Sequence, residues 1–128
     1  MNVHAVLETP TFLRDVMRSG MSDDEHDSIV RSIAEHPTRG DVISGTGGAR
    51  KVRFAGRGKG KSGGYRIVTY CAASDVPVLL LALINKGERA DLSQSERNEL
   101  RSDLKGFADD YRAGVKAKIA DFRKGRRR

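Results

Sequence analysis

The residues from Val78 to Ile84, VLLLALI, carry no polar side chain. A strand of that composition has no face for water, so it belongs in the middle of a sheet covered on both sides. The rest of the chain must then supply flanking strands and two covering layers. At 128 residues it has the length for one domain with a real core, and not comfortably for two. The longest apolar run, Val76 to Ile84, is far too short for a membrane-spanning helix.

Local signals place the other elements. Val3 to Val6 is short and β-prone and predicts a first strand. Thr9-Pro10 supplies an N-cap and an N1 proline, Phe12, Leu13, Val16 and Met17 follow at helical spacing, and Gly20 ends that helix. Ser22 with Glu25 predicts a capping box for a second helix, which carries Ile29, Val30, Ile33 and Ala34 on one face and stops before Pro37. Beyond the turn Gly45-Thr46-Gly47-Gly48, Val52 and Phe54 alternate with Lys51 and Arg53, a half-buried strand with a basic outer face. Gly56 to Gly64 reads as a loop. Tyr65 to Cys71 reads as a strand with Arg66, Val68 and Tyr70 on one face. Ser93 and Glu96 make a second capping box. Leu100, Leu104, Phe107 and Tyr111 continue behind it as one helical stripe, which Val115, Ile119 and Phe122 extend and Gly106 and Gly114 weaken. The terminal RKGRRR reads as disordered. The expected order is β-α-α-β-β-β-α, an α+β domain over residues 1–112 with a basic C-terminal helix extension or tail over 113–128.

Charge narrows the function. The net charge is +7, yet residues 50–66 alone carry seven basic and no acidic groups, and residues 105–128 carry a further +6, leaving the remainder at −6. Positive charge gathered in two places is the footprint of a polyanion binder; for the C-terminal run a solvated basic surface is the plainer alternative. Within Gly40–Tyr70 the glycines let backbone approach phosphates while Arg50, Lys51, Arg53, Arg57, Lys59, Lys61 and Arg66 neutralise them. The N-terminus has no basic region followed by an apolar core, and the single cysteine, Cys71, forms neither an internal disulfide nor a zinc site by itself, so a cytoplasmic setting is expected.

The run GRGKGKS at Gly56–Ser62 is not a phosphate loop. The glycine required five residues before Gly60 falls at Ala55, and the segment feeds a strand instead of opening a helix. No His, Cys and carboxylate residues cluster at ligand spacing, and His4, His26 and His36 read as structural or solvated. Tyr65 and Tyr70 read as core residues, and Cys71 as a small buried one. RNA chemistry without metal stays open, because RNA brings its own 2′-OH nucleophile. A protein then has to hold the phosphate in line, stabilise the pentacoordinate charge and help move two protons. Arginine suits the charge, and a lysine crowded by other cations suits the proton. Charge alone favours binding over catalysis.

Gly40-Asp41-Val42-Ile43, then Gly45-Thr46-Gly47-Gly48-x-Arg50-Lys51-x-Arg53, then Gly58-Lys59-Gly60-Lys61-x-Gly63-Gly64-x-Arg66 resemble the HigB-like branch of the RelE/ParE toxin superfamily. The resemblance extends through Glu8-Thr9-Pro10-x-Phe12 on one side and through Lys86-x-Glu88 and Asp91-Leu92-Ser93 on the other, covering about residues 3–105. It implies a compact RelE-like fold, a twisted antiparallel sheet packed against helices. It also implies a type II toxin that cleaves mRNA on the translating ribosome without metal or other cofactor, by 2′-OH attack leaving a 2′,3′-cyclic phosphate. By motif, Lys59 and Lys61 would grip the RNA backbone and shuttle protons, Arg66 would stabilise the transition state, and Lys86 would complete the site. Arg50, Lys51, Arg53 and Arg57 would bind mRNA or ribosomal RNA. The implied partners are the ribosome with its message and an antitoxin protein, commonly a helix-turn-helix HigA-like one, through which alone operator DNA would be met; no membrane is implied. Where relatives commonly carry an aromatic before the turn with the late lysine, this chain has Ile84. A gyrase-poisoning toxin of the same superfamily and a non-catalytic RNA- or ribosome-binding protein are the alternatives.

Overall fold

The computed structural model describes residues 3–56 and 64–126. Nine elements follow one another: β1 (Val6–Glu8), α1 (Pro10–Ser19), α2 (Asp23–Glu35), β2 (Asp41–Val42), β3 (Arg50–Phe54), β4 (Tyr65–Tyr70), β5 (Val78–Asn85), α3 (Gln94–Leu104) and α4 (Phe107–Arg126). The strands form one five-stranded sheet in the order β1-β5-β4-β3-β2. The α+β class and the meander β3-β4-β5 agree with the sequence reading.

β5 is buried on both faces, as its composition demands. On one side Val78, Leu80 and Leu83 join Tyr65 and Ile67 of β4 against Phe12 and Val16 of α1 and Ile29 and Ile33 of α2. On the other, Leu79 and Ile84 join Val68, Ile43 and Ala49 against Leu92 and Leu104, with Phe107 packed at the edge. Each such side chain contributes roughly 1.5–3 kcal/mol by leaving water. The two layers are thus a helical hairpin on one face and α3 on the other.

Caps set the helix starts. The Thr9 hydroxyl accepts from Phe12 N–H at 3.3 Å and donates to the Leu80 carbonyl at 2.8 Å, so the N-cap of α1 is also tied to β5. At α2 the Ser22 hydroxyl accepts from Glu25 N–H. At α3 the box is complete, with Ser93 and Glu96 satisfying each other's backbone N–H. Asp15 of α1 reaches the sheet and accepts from Leu83 N–H at 3.0 Å, beside the irregularity where β4 steps from Val68↔Ala82 to Thr69↔Leu80 and leaves Leu81 over.

Five features depart from the sequence reading. The first strand is Val6–Glu8, not Val3–Val6, because its register is fixed by pairing with Val78–Leu80. That pairing is parallel, so the sheet is mixed, and the antiparallel arrangement holds from β2 to β5. The added strand β2 has two residues, too few for any alternation; its turn back to β3 is held by the buried Thr46 hydroxyl, which donates to Ile43 O and accepts from Ala49 N–H. Finally, the stripe from Leu100 to Tyr111 lies on two helices. Lys105 is extended and Gly106 adopts φ +78°, a left-handed conformation that breaks the run. α4 then continues through Gly125 and Arg126, into the terminal run expected to be disordered.

Candidate functional site

Antiparallel pairing decides which basic side chains share a face. Arg53 of β3 lies directly opposite Arg66 of β4, and Ile84 of β5 lies opposite Arg66 on its other side. Residues directly opposite project to the same face, so the two side chains leave the sheet side by side. Arg66 is half-buried, and among the described residues its Nη1 is buried without a hydrogen-bond partner. An unsatisfied buried donor costs about 1–3 kcal/mol, more when charged. At this point the sheet therefore carries two arginines in register, one of them with a buried donor unmatched among the described residues.

Lys86 comes to the same end of the sheet through the backbone. Its N–H donates to the Gly64 carbonyl at 3.1 Å, while Asn85 O accepts from Glu88 and Arg89 N–H and closes the turn. Gly64 itself is required by close approach: a Cβ there would stand 2.6 Å from the Phe54 carbonyl oxygen. Gly56 and Gly64, both buried, flank the segment 57–63. Arg57, Lys59 and Lys61 lie outside the described residues.

Lys51 shares the face of Arg53 and Arg66 but is engaged. Its Nζ donates to Asp91 Oδ2 at 3.0 Å, and Arg97 lies 3.2 Å from the same oxygen. Burial pushes the Asp91 carboxyl up, but bonds from Lys51 and Leu92 N–H, with the Lys51 and Arg97 charges, hold it below the ordinary carboxylate range. Next to it Arg89 grips Glu96 through two nitrogens, and that contact above all, against a smaller opposing effect of burial, lowers Glu96 from 4.5 to about 2. Sequence reasoning missed Asp91 and Arg97 as partners of the basic strand. Their signal was faint: Asp91 stands next to a capping box, 40 residues from Lys51.

Arg50 goes elsewhere. It pairs with Thr69, which faces the helical hairpin, and its Nη1 donates to Gly40 O at 3.0 Å. There it stands near Cys71, whose thiol is raised by burial despite the opposing Arg50 charge. His26 pairs with Glu8 across the hairpin layer, and His4 contacts the Val76 carbonyl at 2.6 Å, so both have structural partners. Among the described residues no group of three or more His, Cys, Asp or Glu side chains is placed to hold a metal ion. No described helix is long and apolar enough to cross a membrane.

No family model matches the chain. A solved structure that resembles it is that of a double arginine-to-alanine mutant of E. coli toxin RelE in the free state, at 13% identity and a TM-score of 0.49, over 68% of this chain and 87% of that one. Likeness at that level assigns neither residues nor activity to this chain.

Proposed function

We propose that this chain is the toxin of a type II toxin–antitoxin system and a ribosome-dependent endoribonuclease that cleaves mRNA without metal. The observation that carries the reading is Arg66, with a buried guanidinium nitrogen lacking a partner among the described residues, set across the strand gap from a second arginine. The motif resemblance supplies the reaction class. In that reaction the 2′-oxygen of the bound nucleotide attacks the adjacent phosphorus and the 5′-oxygen of the next nucleotide leaves. The products are a 2′,3′-cyclic phosphate and a free 5′-hydroxyl. Arg66 offers its N–H groups to the equatorial oxygens as charge builds on them, where a fixed donor acts without reorganisation. Arg53 holds the neighbouring phosphate. One proton leaves the 2′-OH and one reaches the departing oxygen; Lys59, Lys61 and Lys86 are the groups proposed to move them. Ile84, 1% exposed, offers no proton and no stacking ring, which leaves the lysines as the proposed proton carriers.

Primer-extension mapping of mRNA after induced expression tests this, comparing the wild-type chain with a Lys59→Ala/Lys61→Ala/Arg66→Ala variant. Cuts inside translated frames that vanish in the variant are expected. Growth arrest with intact message would overturn the nuclease reading in favour of gyrase poisoning or passive ribosome binding. A repressing, helix-turn-helix antitoxin is the proposed protein partner.

A further inference from the structure

The C-terminal helix leaves the domain. Its first turn is anchored: the Phe107 ring lies 6.4 Å from Tyr70 and 6.1 Å from Tyr111, and Arg112 grips Asp75 through two nitrogens at 2.7 and 2.8 Å. From Arg112 to Gly125 every residue is exposed. At 1.5 Å per residue this arm projects about 20 Å. Helices of that length are marginal in water unless one face is packed. Val115, Ile119 and Phe122, spaced four and three apart, form such a face, and they are 40%, 48% and 63% exposed.

We infer that this face is covered by the same face of a second copy of the chain, in an antiparallel pair. Three observations favour that occupant. The stripe is self-complementary: a two-fold axis near residue 117 sets Val115 against the partner's Ile119 and brings Phe122 to the partner's Arg112 and Tyr111. The charge pattern reverses along the arm. Asp109, Lys116 and Arg123, seven apart, line one flank of the stripe. A parallel pair would set each against its own copy, whereas an antiparallel one puts Asp109, which also lies 3.4 Å from Arg112 of its own chain, beside the partner's Arg123 twice, with Lys116 and Lys118 on either flank nearest their own copies. Finally, the base of the arm has room. A groove of about 610 Å³, lined in part by Val3, Ala34, Pro37, Val76, Pro77 and Tyr111, opens where the partner's Phe122 arrives. A shallower one of about 330 Å³ runs beside Tyr111, Val115 and Ile119. The pairing lies at the end of the sheet away from Arg66 and does not depend on the nuclease reading.

Sedimentation velocity of the full chain across the micromolar range tests it, since an interface of this modest size holds there and not lower. A monomer–dimer equilibrium is expected, weakened at least about tenfold by Ile119→Asp. Circular dichroism should show the helix content of the Ile119→Asp monomer no lower than wild type at the same low concentration. Asp109→Lys and Arg123→Glu should each weaken the dimer, and the two together should restore it. A chain that stays monomeric throughout, a dimer indifferent to Ile119→Asp, or a double variant no better than the singles would overturn the inference.

Discussion

Arg66 and Arg112 stand at opposite ends of the sheet and in opposite circumstances. Arg112 is matched: Asp75 takes two of its nitrogens, and that grip holds the Asp75 carboxyl below its usual range. Arg66 has a buried nitrogen unmatched among the described residues and a second arginine across the strand gap. From Val78, beside the Asp75 turn, to Ile84, opposite Arg66, β5 spans about 20 Å. A matched pair fixes an element in place, here the start of α4. At Arg66 no such pair fixes the buried nitrogen among the described residues, which is why the proposed phosphate contact is placed there.

The largest expected effect follows from that difference. Arg66→Ala should cost about 3–4 kcal/mol of transition-state stabilisation, on the order of several hundredfold in cleavage rate, as removing a positioned donor does elsewhere. Its melting temperature should stay close to wild type, because among the described residues Nη1 has no hydrogen bond to lose. A variant that melts earlier and still cleaves would reverse the comparison.

Two glycine substitutions sharpen it. At the Arg66 end, Gly64→Ala drives a Cβ to 2.6 Å from the Phe54 carbonyl, so backbone must shift; destabilisation of about 1–3 kcal/mol is expected in denaturant melts. Nothing lies within 4 Å of the corresponding position at Gly114 of α4. There alanine should stabilise the helix by up to about 1 kcal/mol, visible as raised helicity. Destabilisation at both sites would mean that the arm at Gly114 is packed as tightly as the backbone at Gly64.

Local chemistry made much of this legible, and non-local pairing hid the rest. Thr9-Pro10, Ser22 and Gly20 announce α1 and α2 because a cap acts within one turn. The unbroken apolar run gave away β5, and alternation assigned Arg66 and Val68 to one face of β4. β2 could not be read, since two residues become a strand only by pairing with Arg50 and Lys51. The basic cluster looked like one patch in sequence, but strand parity sends Arg50 to the hairpin face and leaves Arg53 beside Arg66. That Lys51 is held by Asp91 depends on a contact 40 residues away, which no spacing announces.

The smallest expected effect is with pH. Glu96 is held at about 2 in the folded chain against 4.5 unfolded, so its contribution is fully present above the unfolded value and is lost as pH falls through about 2. Asp91 acts in the same sense. Glu96→Gln should therefore lower the melting temperature at neutral pH, with the gap to wild type closing as pH falls toward about 2. A gap that persists in acid would mean that Glu96 acts by packing and not by charge.

The most direct test of the central claim is the single-turnover rate of message cleavage on translating ribosomes for Arg66→Ala and Arg112→Ala side by side. The first rate is expected to fall by several hundredfold while the second stays at the wild-type value. Loss with Arg112→Ala and retention with Arg66→Ala would place the chemistry at the other end of the sheet and contradict it.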